Sequence, residues 1–486
     1  MDGWDEQVES LKDGGIVQYD FRTEENKTKK LPSDFSLVQW NIERGIKLEE
    51  ILDTLCILMK SADILIVQEI DLFCRRSAYK NVLFEIAKAT QTHAVFFCEF
   101  EELDSDLRKE EHAVGPLSAP ADSSDVQRPP RHFHGNAIFS KCVPLRAPTV
   151  IFHRVQPVNW NVGGSVYREP RRGRRGALRV TVFSSDRSDS RTPPLVLYNC
   201  HLEVFCGGLD RVRQLGDCIL DAHELTMDYT RTWKGKSAAL LRPAYIIAGD
   251  LNTMAHGIVR FSNRYGTDRL KLLSMGESEA CWLQRKFLNA GMLYNVKGCC
   301  PLSYRFPFYV LSNVYELLLN NSLVWTLLYG FSFQAIWKLK AAVTELCFYD
   351  TGDKYQSVTL NNAQYNGLVQ GKLDWVLLSN LTTVSHTLPH DQADVLAALR
   401  ASQSMTEAPK IERDGYVLFN DTYRDSDHKG IWIKVHQNTE PGPPSSCYPP
   451  YGALYSHSIT PALCLLGTRC CLAAAAAFAV YKYLVK

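Results

Sequence analysis

This chain of 486 residues has no excess of either charge: 54 lysines and arginines stand against 53 aspartates and glutamates, a formal net charge of +1. Such a balance gives no whole-molecule field of the kind that advertises nucleic acid. Its 15 cysteines include no Cys-x-x-Cys pair and no zinc-finger spacing, which argues against a redox dithiol or a structural zinc module. The opening residues, Met1-Asp-Gly-Trp-Asp-Glu, lack the basic and apolar regions of a signal peptide. Free, mostly buried thiols in a reducing compartment are the simplest reading, with Cys299-Cys300 and Cys470-Cys471 as packed vicinal pairs rather than disulfides. Hydrophobic content, at 45%, is ordinary for a globular protein, and the length permits two or three domains.

What the chain does have is a set of apolar runs that end in polar residues. The most informative reads Ile246-Ile-Ala-Gly-Asp250-Leu-Asn252-Thr253. Its β-branched start predicts a buried strand and Gly249 predicts the turn that ends it. The carboxylate of Asp250 and the amide of Asn252 then lie on one side if extended geometry persists. A plain Asx-turn at a strand end is the bland alternative. Other runs repeat the arrangement: Phe35 to Ile42 with Asn41, Asp63 to Ile70 with Gln68-Glu69, Leu195 to Glu203 with Asn199 and His201, and Arg424 to Gly430 with Ser426-Asp427-His428 before the strand Ile431–Val435. Gly371 to Ser379 carries Asp374 at its beginning. Between the first two, Leu48, Ile51, Leu52, Leu55, Leu58 and Met59 have the spacing of an amphipathic helix. Singly, Glu69 reads as a solvated strand end and His201 as a core histidine. Together the six segments are hard to explain that way.

In this order the motifs resemble those of the endonuclease/exonuclease/phosphatase superfamily of metal-dependent phosphoesterases. The matching pieces are Trp40-Asn41-Ile42, Gln68-Glu69, Gly135-Asn136-Ala137-Ile138, Asn199-x-His201-Leu202, Gly249-Asp250-Leu251-Asn252, Leu373-Asp374-Trp375 and Ser426-Asp427-His428. The resemblance implies an α/β fold, a four-layer α/β sandwich with two packed mixed β-sheets flanked by helices. His201 stands where the apurinic-site endonucleases carry an Asp-containing motif. In this the chain is more similar to pancreatic deoxyribonuclease, sphingomyelinases, inositol polyphosphate five-phosphatases and tyrosyl-DNA phosphodiesterases.

Phosphoester hydrolysis needs neutralised phosphoryl charge, an aligned water and help for the departing alkoxide. The resemblance implies Mg²⁺, with Mn²⁺ as the alternative, held by Glu69 as principal ligand with Asn41 beside it; Asp427 is a further candidate ligand. Asp250 would accept from or orient the attacking water, and Asn252 would hold a phosphate oxygen or fix that geometry. His428 would donate to the phosphate from one tautomer, with Asp374 as the supporting carboxylate. His201 and His428 would flank the phosphoryl group. The expected function is a Mg²⁺-dependent phosphoesterase, more narrowly a phosphodiesterase, whose substrate is a phospholipid or a nucleic acid. A binding protein that kept the fold and lost catalysis is the rival from another class.

The expected organisation is an N-terminal extension (1–34), a catalytic domain (35–435) with insertions at about 99–131 and 300–345, a Pro-rich linker (436–458) and an apolar C-terminal segment (459–486). Residues 99–131, rich in charge, Pro and Ser, read as a disordered insertion. The run 168–179 holds six arginines, suited to a phosphate groove or an anionic lipid surface, or simply a solvated basic loop. Phe308 to Leu339 reads as one or two inserted helices, a buried or lid-like hairpin rather than a membrane contact. Ile459 to Val485 is long enough to span a bilayer, for which about 20 apolar residues suffice. Arg469 opposes this by about 2.5–3.5 kcal/mol at mid-bilayer, less near an end. A tail anchor that leaves the catalytic domain on the cytosolic side is the preferred expectation.

Overall fold

Apolar, β-branched runs form the central strands of two mixed sheets. The computed structural model describes residues 5–103, 131–163, 169–183, 193–232, 242–253, 333–350, 359–361, 370–384 and 417–437, with residues 2, 3, 167, 283, 288, 397 and 398 besides. The first sheet has nine strands and runs β1 (Ile16–Asp20), β4 (His93–Glu102), β5 (His132–Ser140), β3 (Ile64–Leu72), β2 (Asp34–Asn41), β17 (Gly430–Gln437) and β15 (Leu381–Thr383). Off this path, β16 (Val417–Phe419) pairs with β17 and β7 (Arg171–Gly173) with β4. The second has six: β11 (Tyr349–Asp350), β14 (Asp374–Ser379), β10 (Ala244–Asp250), β9 (Leu195–His201), β8 (Gly176–Val182) and β6 (Arg146–Phe152). A short ribbon joins β12 (Leu360–Asn361) to β13 (Gln370–Gly371).

The sheets pack face to face over Leu37, Ile64, Ile66, Val95 and Ile138 from one side and Leu178, Leu197, Ile246, Ala248 and Val376 from the other. Helices α1 (Glu6–Glu9) and α2 (Glu24–Thr28) are short, while α3 (Leu48–Leu58) and α4 (Val82–Thr90) cover the outer face of the first sheet. After the single turn α5 (Trp160–Gly163), α6 (Gly208–Thr232) and α7 (Phe333–Leu346) cover the second. The order of layers is therefore helix, sheet, sheet, helix. Each fully buried Leu or Ile contributes about 1.5–3 kcal/mol, enough in sum to carry a polar chain through the inter-sheet layer. There Gln39 Nε2 donates to Gln68 Oε1 (2.7 Å), Gln68 Nε2 to Asn199 Oδ1 (2.7 Å), and Asn199 Nδ2 to the carbonyls of Val67 and Ala137 (2.8 Å each).

Several sequence expectations shift. The first sheet begins with Ile16, whose strand pairs with β4, so the boundary expected at residue 35 falls inside it. The insertion expected from 99 begins later: Glu99–Glu102 belongs to β4 and Glu99 is fully buried, and the described chain resumes with Arg131. Of the apolar stretch 308–339, only its end is described, as the start of α7, where Leu339, Ala342, Val343 and Leu346 pack on the second sheet. The arginine run divides: Arg171 and Arg175 are buried among carboxylates, while Arg172 and Arg174 are exposed. The Pro-rich linker, the segment 459–486 and both vicinal cysteine pairs lie outside the described residues. No helix among the described residues is long and apolar enough to cross a membrane. The described cysteines are free, as expected.

Candidate active site

Register brings the strand ends together. β10 pairs in parallel with β9 and antiparallel with β14, so that Asp250 is opposite His201 on one side and Asp374 on the other. In the first sheet β2 lies parallel to β3 with Asn41 opposite Gln68. The register of β3 against β5 then slips between Val67 and Ile70, and Glu69 takes a positive φ of 58°. This is a conformation that a non-glycine residue adopts at some cost. Gly249 has the opposite role: at φ 148° its missing Cβ would sit 1.8 Å from the carbonyl oxygen of Cys200, so only glycine lets β10 pass β9 here.

At the centre, Asn41 Nδ2 donates to Glu69 Oε1 (3.2 Å) and to Asp250 Oδ2 (3.1 Å). His201 Nε2 is 3.9 Å from Glu69 Oε1 and 3.7 Å from Asp250 Oδ2. His428 Nε2 approaches the same Asp250 oxygen at 3.8 Å, while its Nδ1 meets Asp374 Oδ2 at 2.8 Å. Asp374 is fixed in turn: Oδ1 accepts from Gln39 Nε2 (2.9 Å), and its backbone N–H donates to Thr359 Oγ1 (3.1 Å). Ser426 Oγ, which donates to the Asn41 carbonyl (2.7 Å) and accepts from the His428 N–H (3.1 Å), ties the two halves of the site.

Six of the expected residues thus converge directly, and two stand slightly apart. Asn252 closes an Asx-turn, its N–H donating to Asp250 Oδ1 (2.7 Å), and its Nδ2 donates to the Leu202 carbonyl (2.8 Å). Its visible work is to pin the end of β9 against β10. Asp427 sits at the rim with its side chain 53% exposed and Oδ1 4.0 Å from His428 Nε2.

Electrostatics separate the two histidines. Burial drives His201 well below the usual imidazole range, and Arg175, His134, His428 and Arg171 push the same way. Burial opposes protonation of His428 too, but Asp374, Asp427 and Asp250 outweigh it and hold it well above that range. One imidazole is therefore neutral and the other cationic near pH 7. Burial pushes the Asp250 carboxyl up to about 7, with His428 opposing and Asp374 and Glu69 reinforcing. Burial also works against Glu69, but Arg44, His134, His428 and the Asn41 amide hold it below the ordinary carboxylate range. Crowded carboxylates with an amide group at one point are a donor set that suits a hard divalent cation, and Glu69 with Asn41 would hold it beside Asp250.

Sequence reading missed four residues. Arg44, in the turn after Asn41, lies 3.6 Å from Glu69 Oε2 and reaches Glu169 (3.3 Å). Glu99, read as part of an insertion, lies within 4.8 Å of both His201 and His134 through ligand-bearing atoms. It accepts from Arg175 Nη1 (2.9 Å). Arg175 also lies 3.8 Å from Glu203. The unbroken apolar run from Ala94 to Cys98 was the available signal for a strand reaching Glu99; nothing local marks its partners.

No protein-family model matches the chain, and no curated protein matches its sequence. Solved structures do resemble it. An endonuclease/exonuclease/phosphatase from Beutenbergia cavernae is 12% identical over 83% of this chain and 72% of its own, with a TM-score of 0.38. The human Nocturnin catalytic domain, solved with a bound sulfate, is 12% identical over 87% of this chain and 98% of its own, at 0.35. An AP endonuclease from Leishmania major is 13% identical over 87% and 93%, at 0.33. Likeness at this level concerns the fold alone; the chemistry has to be read from the residues of the site.

Proposed function

We propose that this protein is a divalent-metal-dependent phosphoesterase that cleaves a phosphodiester by attack of water. The observation that carries the reading is the meeting of His201 and His428 over one carboxylate, Asp250, beside Glu69 and Asn41. Glu69 and Asn41 would hold a divalent cation, Mg²⁺ by its preference for oxygen ligands, which would supply neutralisation of phosphoryl charge. Asp250 accepts the proton of the attacking water or orients it. Cationic His428, held in one tautomer by Asp374, donates to a phosphoryl oxygen or to the leaving alkoxide. Neutral His201 flanks the phosphoryl group from the other side, and Asn252 keeps its strand in place. A diester carries a single negative charge on its two non-bridging oxygens, which the pair of histidines can flank, and its leaving alkoxide takes a proton that His428 can give.

The substrate alcohols belong to a nucleic acid or a phospholipid. From its composition alone, we also read the segment 459–485 as a membrane anchor, which favours lipid. The test is hydrolysis of bis-p-nitrophenyl phosphate against p-nitrophenyl phosphate, with Mg²⁺, with Mn²⁺ and with chelator. Metal-dependent cleavage favouring the diester is expected. Preference for the monoester would replace the diester part of the reading, and no hydrolysis with any metal would leave the binding-protein reading in its place.

A further inference from the structure

Glu99, His134 and His201 form a second group of ligand-bearing side chains beside the pocket. One ligand atom from each lies within 4.8 Å of the others, and the residues are only 0, 2 and 3% exposed. They come from β4, β5 and, across the inter-sheet layer, β9. The β4–β5 register slips between Cys98 and Phe100, which takes Glu99 out of the regular ladder.

The state of each donor is specific. His134 commits Nδ1 to Asp71 Oδ1 at 2.8 Å, leaving Nε2 for a further partner. Arg76 holds Asp71 in turn through its Nη2, 2.9 Å from Oδ1. A carboxylate behind an imidazole is the arrangement that fixes the tautomer of a metal-ligating histidine. His201 turns Nε2 toward Glu69 and Asp250, and its other nitrogen, Nδ1, is buried with no hydrogen-bond partner. Glu99 accepts from Arg175 Nη1 and from the Gly176 N–H (3.3 Å), and a carboxylate with two such bonds keeps lone pairs to give.

We propose that Glu99, His134 and His201 bind a transition-metal ion, Zn²⁺ by ligand chemistry, at a site distinct from the oxygen-rich one at Glu69. Two imidazoles and one carboxylate make a three-ligand zinc set with an open fourth position, whereas Mg²⁺ takes oxygen ligands. Tetrahedral zinc at about 2.0–2.2 Å from its donors places them roughly 3.4 Å apart, so side-chain adjustments of about an ångström close the site. Arg175 and Arg171 oppose a cation here, but Glu203, Glu102 and Asp71 lie among them. The two sites share His201, so zinc bound there removes this imidazole from the reaction. That consequence, unlike binding itself, rests on the phosphoesterase reading.

Co²⁺ is the probe, because its visible absorption reports tetrahedral nitrogen ligation. Full-length protein stripped by chelator and saturated with Mg²⁺ is titrated with Co²⁺, then with Zn²⁺. One equivalent with a visible band, displaced by Zn²⁺, is expected. The band persists in Glu69→Gln, and Co²⁺ affinity falls by about 100-fold in His134→Gln, the upper end of what even an outer-shell partner is worth. No band in the Mg²⁺-saturated parent, or equal binding by folded His134→Gln, overturns the proposal. So does a band lost in Glu69→Gln alone, which places the ion in the oxygen site. Should His134→Gln not fold, X-ray absorption at the zinc edge of the parent decides: two imidazole ligands support the site and an all-oxygen shell overturns it. The phosphoesterase reading has a separate test in the chelator-stripped protein loaded with Mg²⁺ alone: no hydrolysis there sinks that reading, while a Co²⁺ band leaves this one standing.

Discussion

His201 Nε2 and His428 Nε2 both approach the same oxygen of Asp250, at 3.7 and 3.8 Å. One is held neutral and the other cationic by their surroundings. Two copies of one side chain in one pocket are thus set to different tasks by their surroundings: burial, with Arg175 reinforcing it, for His201, and Asp374 for His428. Divergent protonation of neighbouring groups is what general acid–base chemistry near neutral pH requires.

The metal assignment predicts that Glu69→Gln weakens Mg²⁺ binding and lowers kcat/KM by about 100-fold, the loss of roughly 3 kcal/mol of transition-state stabilisation. Excess Mg²⁺ should restore part of the activity. Calorimetric titration with Mg²⁺ and a metal-dependence curve of the rate check this, and an unchanged Mg²⁺ affinity would move the ion elsewhere.

Removing the support of His428 should show in the pH profile. Asp374 is the leading cause that raises this imidazole against the opposing effect of its burial. In Asp374→Asn the folded value therefore falls, and the alkaline limb of kcat moves to lower pH. His428→Ala should cost about 10²–10⁴-fold in kcat and abolish that limb. A limb that stays in place in both variants would assign it to another group.

The polar chain between the sheets predicts a stability effect. Gln68→Leu removes the donor to Asn199 Oδ1 and one of the two acceptors of Gln39 Nε2, leaving the buried Asn199 oxygen without that partner at a cost of about 1–3 kcal/mol. Urea unfolding of the variant should show a lower midpoint. A midpoint equal to that of the parent would mean that Gln39 and Asn199 find other partners.

His93 supplies a pH dependence away from the pocket. Burial lowers it to about 4, with Asp20 opposing, and its Nδ1 accepts from the Leu145 N–H at 3.0 Å, which the protonated ring cannot do. Its folded value lies below the unfolded one, about 6.5, so the unfolded state binds the proton first as pH falls. The stability it contributes is full above 6.5 and is lost as pH falls toward 4. By pH 5 the loss is about 2 kcal/mol. His93→Gln should lose less stability than the parent between pH 7.5 and 5 in urea melts, and parallel losses would count against this assignment.

The membrane proposal is tested by alkaline carbonate. Full-length protein should stay with the pellet, and a chain lacking 459–486 should be released folded. Full-length protein extracted by carbonate would remove the proposal.

Most of the residues that meet at the candidate site could be read without coordinates because each member follows or opens an apolar run. Asn41, His201 and Asp250 end strands whose buried residues announce them, Asp374 begins one, and Glu69 follows the apolar run of β3 at a register slip inside the strand. Hydrophobic patterning is local, so it locates a strand end within a residue or two. Which ends meet depends on register, and only the tertiary structure decided that Asp250 lies opposite both His201 and Asp374. It also decided the fate of the charged residues. Arg175 is 76 positions from Glu99 in the chain, and Arg44 is 125 from Glu169. An arginine looks the same in sequence whether water or a buried carboxylate receives it, because the difference lies in desolvation and in a partner that only folding brings near.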